Sequence, residues 1–135
     1  MSADFFGKRG QAIGNIAKEY EQLLGRTVSS LIIEDIRFFL DNGIEDRLII
    51  KAIEITFEKN ADWRYTKGIL KRCQEEGILT LEAYDYRLMF KKVTLEFKSK
   101  YPNCDENTLF PFVVIEAGRR TGYLEKIQKE LATLI

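Results

Sequence analysis

The stretch from Asn60 to Thr80, NADWRYTKGILKRCQEEGILT, constrains the fold more than any other, because it carries two helix ends and two opposed faces. At about 100° per residue, Trp63, Tyr65, Thr66, Ile69, Leu70 and Cys73 share one broad arc, and Arg64, Lys67, Lys71 and Arg72 share the opposite one. The first face needs a core. The second suits an anion. Asp62 is placed to cap the N-terminus, and Gly77 to take the left-handed conformation just past the C-terminus. Gly68 costs the helix interior about 1 kcal/mol relative to alanine. Its presence predicts either close packing at that point or a surface that something must approach.

The same three- and four-residue spacing recurs along the chain and predicts an all-α, compact multi-helix fold. Ile13, Ile16, Ala17, Tyr20, Leu23 and Leu24 give a first helix over about 11–24. Residues 1–10, with Phe5 and Phe6, lack periodicity and are expected to form an arm that is loose unless the phenylalanines dock. Ser29 or Ser30 caps a second helix with Ile32, Ile33, Ile36, Phe39 and Leu40 inward, stopped at Asn42-Gly43. Its β-branched run is also strand-like, but Glu34, Asp35 and Arg37 interrupt any strict alternation. A third helix over about 45–58 turns Leu48, Ile49, Ala52, Ile53 and Phe57 to the core, and Asn60 breaks it.

Thr80 opens a helix to about Lys98 that is apolar on two sides, with Leu81, Tyr84, Leu88 and Leu95 on one and Tyr86, Phe90, Val93 and Phe97 on the other. Asp105 or Thr108 caps the next helix, and with Thr108 as cap Pro111 falls in the first turn. The segment from Gly118 to Gly122 is the expected break. A terminal helix then carries a narrow stripe, Leu124, Ile127, Leu131 and Leu134, flanked by Glu125, Lys126, Lys129 and Glu130. That pattern fits a helix meeting one partner helix, within the fold or across a dimer.

Composition excludes more than it assigns. The 135 residues are 45% hydrophobic with two prolines, which fits one domain with a substantial core. Lys plus Arg and Asp plus Glu each total 21, so any attraction to nucleic acid must be local. Histidine is absent, which removes the commonest general base and metal ligand. The glycines form no phosphate-cradling loop, and Cys73 and Cys104 are too few and too far apart for a zinc site or disulfide framework. No metal, cofactor or enzymatic chemistry is expected. Without a secretory signal or an apolar run of spanning length, the expectation is a soluble, reduced, cytoplasmic protein with no membrane partner.

The segment from about Tyr20 to Tyr84 resembles the DnaD-like domain of bacterial and phage replication-initiation (primosomal) proteins, whose hallmark helix bears Y-x-x-x-I-x-x-x-W. Here the positions read Tyr65, Ile69 and Cys73, with cysteine where the family usually has tryptophan. Trp63-Arg64-Tyr65, Gly68-Ile69-Leu70-Lys71, Gly77-Ile78 with Thr80, and the upstream Tyr20-Glu21 and Gly25 carry the flanking similarity. The resemblance implies a DnaD-like module over about 11–84 and a helical extension over about 85–135.

Its functional implication is a non-enzymatic DNA-binding and assembly component of replication initiation, phage or phage-derived. The motif core is expected to be Trp63, Tyr65, Ile69 and Cys73. Single- or double-stranded DNA is expected to bind with little sequence preference at Arg64, Lys67, Lys71 and Arg72, helped by Lys91 and Lys92. The resemblance also implies replisome partners, such as a helicase or helicase loader, and homo-oligomers, for which Leu124, Ile127, Leu131 and Leu134 are the candidate contact. On the wheel alone the basic arc reads first as an ordinary solvated face, since polar arcs are the norm on globular helices, and it is the resemblance that turns it toward DNA. The rival reading is therefore a protein–protein adaptor without direct DNA contact.

Overall fold

Capping and turn chemistry decide where each helix stops, and hydrophobic spacing decides which face turns inward. The computed structural model describes the backbone of residues 3–134 and the side chains of residues 9–126, 128–130, 132 and 133, and the fold is all-α, with seven helices and no strand among the described residues. The chain divides into two compact units, Met1–Leu81 and Glu82–Ile135.

The first unit holds α1 (Ala3–Leu24), α2 (Ser30–Asp41), α3 (Asp46–Glu58) and α4 (Trp63–Glu75). Helix α1 begins at Ala3, well before the expected residue 11. Residues 3–10 contain no proline, and glycine weakens a helix without ending it, so the turns propagate from the packed part of α1. The side chains of Phe5 and Phe6 lie outside the described residues.

Helix α2 starts where Ser29 Oγ accepts the Ile32 amide at 3.2 Å. It ends at Asn42, whose Nδ2 donates to the Phe38 carbonyl at 2.7 Å. Helix α3 closes with Asn60 in the left-handed region at φ 53, so that the amides of Asn60 and Ala61 donate to the carbonyls of Phe57 and Thr56. The end of α4 repeats the arrangement with Gly77 at φ 74, as the amides of Gly77 and Ile78 reach the carbonyls of Gln74 and Cys73.

Helix α3 is the centre of this unit and packs against both α1 and α4. It buries Leu48, Ile49, Ala52, Ile53 and Thr56, met by Ile16 and Tyr20 of α1, Ile36 and Phe39 of α2, and Leu70 and Cys73 of α4. Phe57, expected in the core, stands 52% exposed, and Thr56 takes the inward position. Phe57 lies about 100° from the centre of the buried arc, on the flank rather than in the stripe.

The second unit holds most of α5 (Leu81–Lys100), with α6 (Glu106–Thr121) and α7 (Tyr123–Leu134). Its core is Val93 of α5 with Leu109, Val113 and Ala117 of α6, and Tyr86, Met89, Phe90 and Phe97 pack around them. Of the two stripes read on α5, this one is inward, while Leu88 and Leu95 of the other are exposed.

Asp105 caps α6, its Oδ1 accepting the Thr108 amide at 2.7 Å. With that cap, Pro111 is interior rather than in the first turn, and it has no N–H to offer the Asn107 carbonyl. The break expected from Gly118 to Gly122 reduces to Gly122, at φ 75, because α6 continues through Gly118 to Thr121. Gly118 is instead a contact point: a Cβ there would stand 2.8 Å from Leu124 Cβ. Leu124 therefore packs within the unit, against α6. Tyr123 meets Tyr86 with ring centroids 5.0 Å apart, and Lys126 pairs with Glu82, so the first turns of α7 are engaged internally. The side chains of Ile127, Leu131 and Leu134 lie outside the described residues.

Candidate nucleic-acid interface

Helix α4 presents its basic face because its opposite face is fixed from below. Thr66, Leu70 and Cys73 are buried. Thr66 Oγ1 lies 2.6 Å from Thr56 Oγ1, both residues being fully buried. Thr56 donates its only hydroxyl proton to the Ala52 carbonyl at 2.8 Å, which leaves Thr66 as the donor between the two. A polar pair thus locks α4 to α3 within an otherwise apolar core. Burial pushes the Cys73 thiol up, so the cysteine stays protonated and acts as a small core residue.

The expected motif core is divided by this packing. Cys73 is buried, and Ile69 and Trp63 are half-buried. Tyr65, expected inward, is 40% exposed. It lies about 100° from the axis through Thr66, Leu70 and Cys73, so it projects from the flank of α4 rather than into the core. Trp63 packs edge-on against buried Tyr20, centroids 5.8 Å apart, and its Nε1 donates to Asp35 Oδ2 at 2.8 Å. Together with Tyr20, Leu23, Leu24, Arg26, Phe57, Asn60, Ala61 and Asp62, it lines a groove of about 260 Å³.

The four basic residues of α4 are not equivalent. Arg64 curls onto the N-cap: its Nε and Nη2 reach Asp62 Oδ2 at 3.3 and 3.2 Å, although the arginine side chain is 91% exposed. Those hydrogen bonds hold the Asp62 carboxyl below its usual range. Lys67 Nζ lies 3.5 Å from Asp35 Oδ2. Lys71 and Arg72 are exposed and, among the described residues, form no ion pair.

Gly68, between Arg64 and Arg72, has nothing within 4 Å of the position its Cβ would take. Of the two readings open for that glycine, close packing is therefore excluded. It leaves bare backbone in the middle of a positive surface, diluted at its C-terminal end by exposed Glu75 and Glu76. Lys91 and Lys92 are exposed on α5, in the second unit.

Asp35 was read from the sequence only as an interruption of strand alternation, and it proves to be the acceptor for two α4 side chains. Nothing in the spacing signals this, because the contact spans 28 residues. No group of three or more metal-ligating side chains exists among the described residues, and none of their helices is long and apolar enough to cross a membrane.

Comparison with known proteins agrees with the motif. No curated protein and no solved structure matches the chain. A family model described as replication initiation and membrane attachment (DnaB_2) matches residues 17–88. The match takes in the last two turns of α1, all of α2 to α4 and the start of α5, including every residue that carries the DnaD-like resemblance. The chain belongs to the replication initiation and membrane attachment family, and its role lies in replication initiation.

Proposed function

We propose that this protein is a non-enzymatic assembly component of replication initiation, phage or phage-derived and cytoplasmic, that binds DNA weakly and with little sequence preference through the basic face of α4. The observation that carries the reading is the exposed pair Lys71 and Arg72 beside the bare backbone of Gly68, on a helix whose other face is locked to the core. Lys71 and Arg72 make the primary phosphate contacts. Arg64 and Lys67 join by exchanging a carboxylate for a phosphate, and Lys91 and Lys92 add contacts from the second unit. Single- and double-stranded DNA both present the phosphates this face takes, and a helicase or helicase loader is the expected protein partner.

Such contacts release counterions, so the logarithm of affinity should fall linearly with the logarithm of salt, by about 0.9 per phosphate neutralised on duplex DNA. Lys71→Glu with Arg72→Glu should abolish binding while helicity and melting stay unchanged. A flat salt response, or normal binding by that double variant, overturns the DNA reading. The second reading, an adaptor with no DNA contact, draws on the internal pairing of Arg64 and Lys67 and on the exposed apolar side chains Leu88, Leu95, Phe112 and Ile115. It would gain from either of those results.

A further inference from the structure

We propose that Asp35 is an internal phosphate surrogate, which sets how many cations α4 offers to a polyanion by holding Lys67 until a phosphate displaces it. This rests on the DNA reading above and names a regulatory residue for that face. One carboxylate oxygen, Asp35 Oδ2, accepts Trp63 Nε1–H at 2.8 Å and lies 3.5 Å from Lys67 Nζ. Trp63 and Lys67 are four residues apart, neighbours one turn along α4 where its apolar and basic arcs meet, and reach across to the same point on α2. A carboxylate oxygen has the charge sign and hydrogen-bonding capacity of a phosphate oxygen, so it occupies Lys67 as a phosphate would.

The two ends of the pair differ in freedom. Asp35 is pinned by the indole, which is itself held edge-on against Tyr20, a residue only 4% exposed. Lys67 sits on a flexible four-carbon stem. When a phosphate arrives, the lysine is the member that moves, and the carboxylate stays behind as a like charge beside the incoming anion. Asp35 thus weakens DNA binding in two ways, by occupying a cation and by repelling the ligand. With side chains 34% and 30% exposed, the pair is screened by salt and readily exchanged.

Asp35→Asn keeps an acceptor for the indole N–H and removes the charge. On a short duplex, its affinity at low salt should rise roughly two- to fivefold. Its log–log salt slope should steepen by up to about 0.9, because Asp35 keeps Lys67 from the DNA in a fraction of wild-type complexes and in none of the variant's. Lys67→Gln should then flatten the slope more in the Asp35→Asn background than in the wild type. Independently of DNA, limited acylation read by peptide mass spectrometry should label Lys67 more slowly than Lys71 in the wild type, and faster after Asp35→Asn.

If the wild type binds through Lys71 and Arg72 but Asp35→Asn leaves the slope unchanged, the surrogate role alone falls. If neither protein binds DNA, the functional reading falls and takes the surrogate role with it. Should Asp35→Asn melt early, the wild-type labelling still decides: Lys67 reacting as fast as Lys71 overturns the restraint.

Discussion

Asn60 shows how one residue carries an element boundary. Its φ of 53 is costly for a side chain with a Cβ, yet the turn needs that conformation so that the Thr56 and Phe57 carbonyls find donors before α4 begins. Asparagine is among the residues that tolerate it best, which is why the sequence could be read to break at this point. Asn60→Ala should cost about 1 kcal/mol, and Asn60→Gly should be neutral or raise the melting temperature. Equal melting of the alanine and glycine variants would mean the turn is not set by this φ. The Thr56–Thr66 bond was not legible in this way. Thr66 was placed on the inward arc, but Phe57 is the larger apolar residue and claimed the α3 position on hydrophobicity alone. Phe57 in fact lies on the flank of the α3 stripe, and the partner that makes a buried hydroxyl at Thr56 satisfied comes from α4. Pairing between helices is invisible to spacing along one helix.

At the scale of the element, caps and stripes were legible and termini were less so. Asp62, Ser29 and Gly77 act where the sequence places them, because capping depends on a few adjacent residues. Gly118 misled because glycine has two uses, as a terminator and as a point of close approach, and the sequence does not separate them. Its neighbour in space, Leu124, belongs to the next helix. Gly118→Ala places a Cβ 2.8 Å from Leu124 Cβ and 3.4 Å from its backbone, so α7 must shift away from α6. That overpacking should cost about 1–3 kcal/mol, read as a lower melting temperature, whereas Gly68→Ala should be tolerated or stabilising. Comparable losses at both glycines would overturn the distinction.

The last turns of α6 also set a pH dependence. Glu116 accepts from Arg119 at 2.9 and 2.7 Å and from Arg120 at 2.8 Å, and these hydrogen bonds lower its pKa from an ordinary 4.5 to about 2. A depressed carboxylate pKa means that the stabilisation is complete above the unfolded value and is lost as pH falls toward the folded one. The melting difference between wild type and Glu116→Gln should therefore be constant near neutrality and close progressively below about pH 4.5. A difference that persists unchanged at pH 2 would show that the arginines do not act through this charge.

Charge and apolar surface pose the question at the scale of the whole molecule. Residues 1–81 carry 12 basic and 13 acidic side chains, and residues 82–135 carry 9 and 8, so neither unit has a net field to steer it toward DNA. On the proposed function, a single copy would offer a few local phosphate contacts and bind DNA weakly. Self-association would change this without any new contact, because several α4 faces on one DNA molecule raise the effective concentration of each. The terminal stripe remains the candidate contact, with one revision. Leu124 is engaged with Gly118 inside the second unit, so the proposed contact with a second copy rests on Ile127, Leu131 and Leu134 through their sequence spacing alone.

The two roles separate by substitution. Leu124→Ala, at a half-buried side chain, should lower the melting temperature modestly and leave the association of the folded protein intact. Leu131→Lys with Leu134→Lys should leave melting unchanged and shift light scattering toward the monomer across a concentration series. DNA binding should weaken in that variant although every basic residue is retained. A wild type that is monomeric at every concentration, or an oligomer indifferent to both lysines, would remove the stripe from assembly and leave α4 to bind DNA one copy at a time.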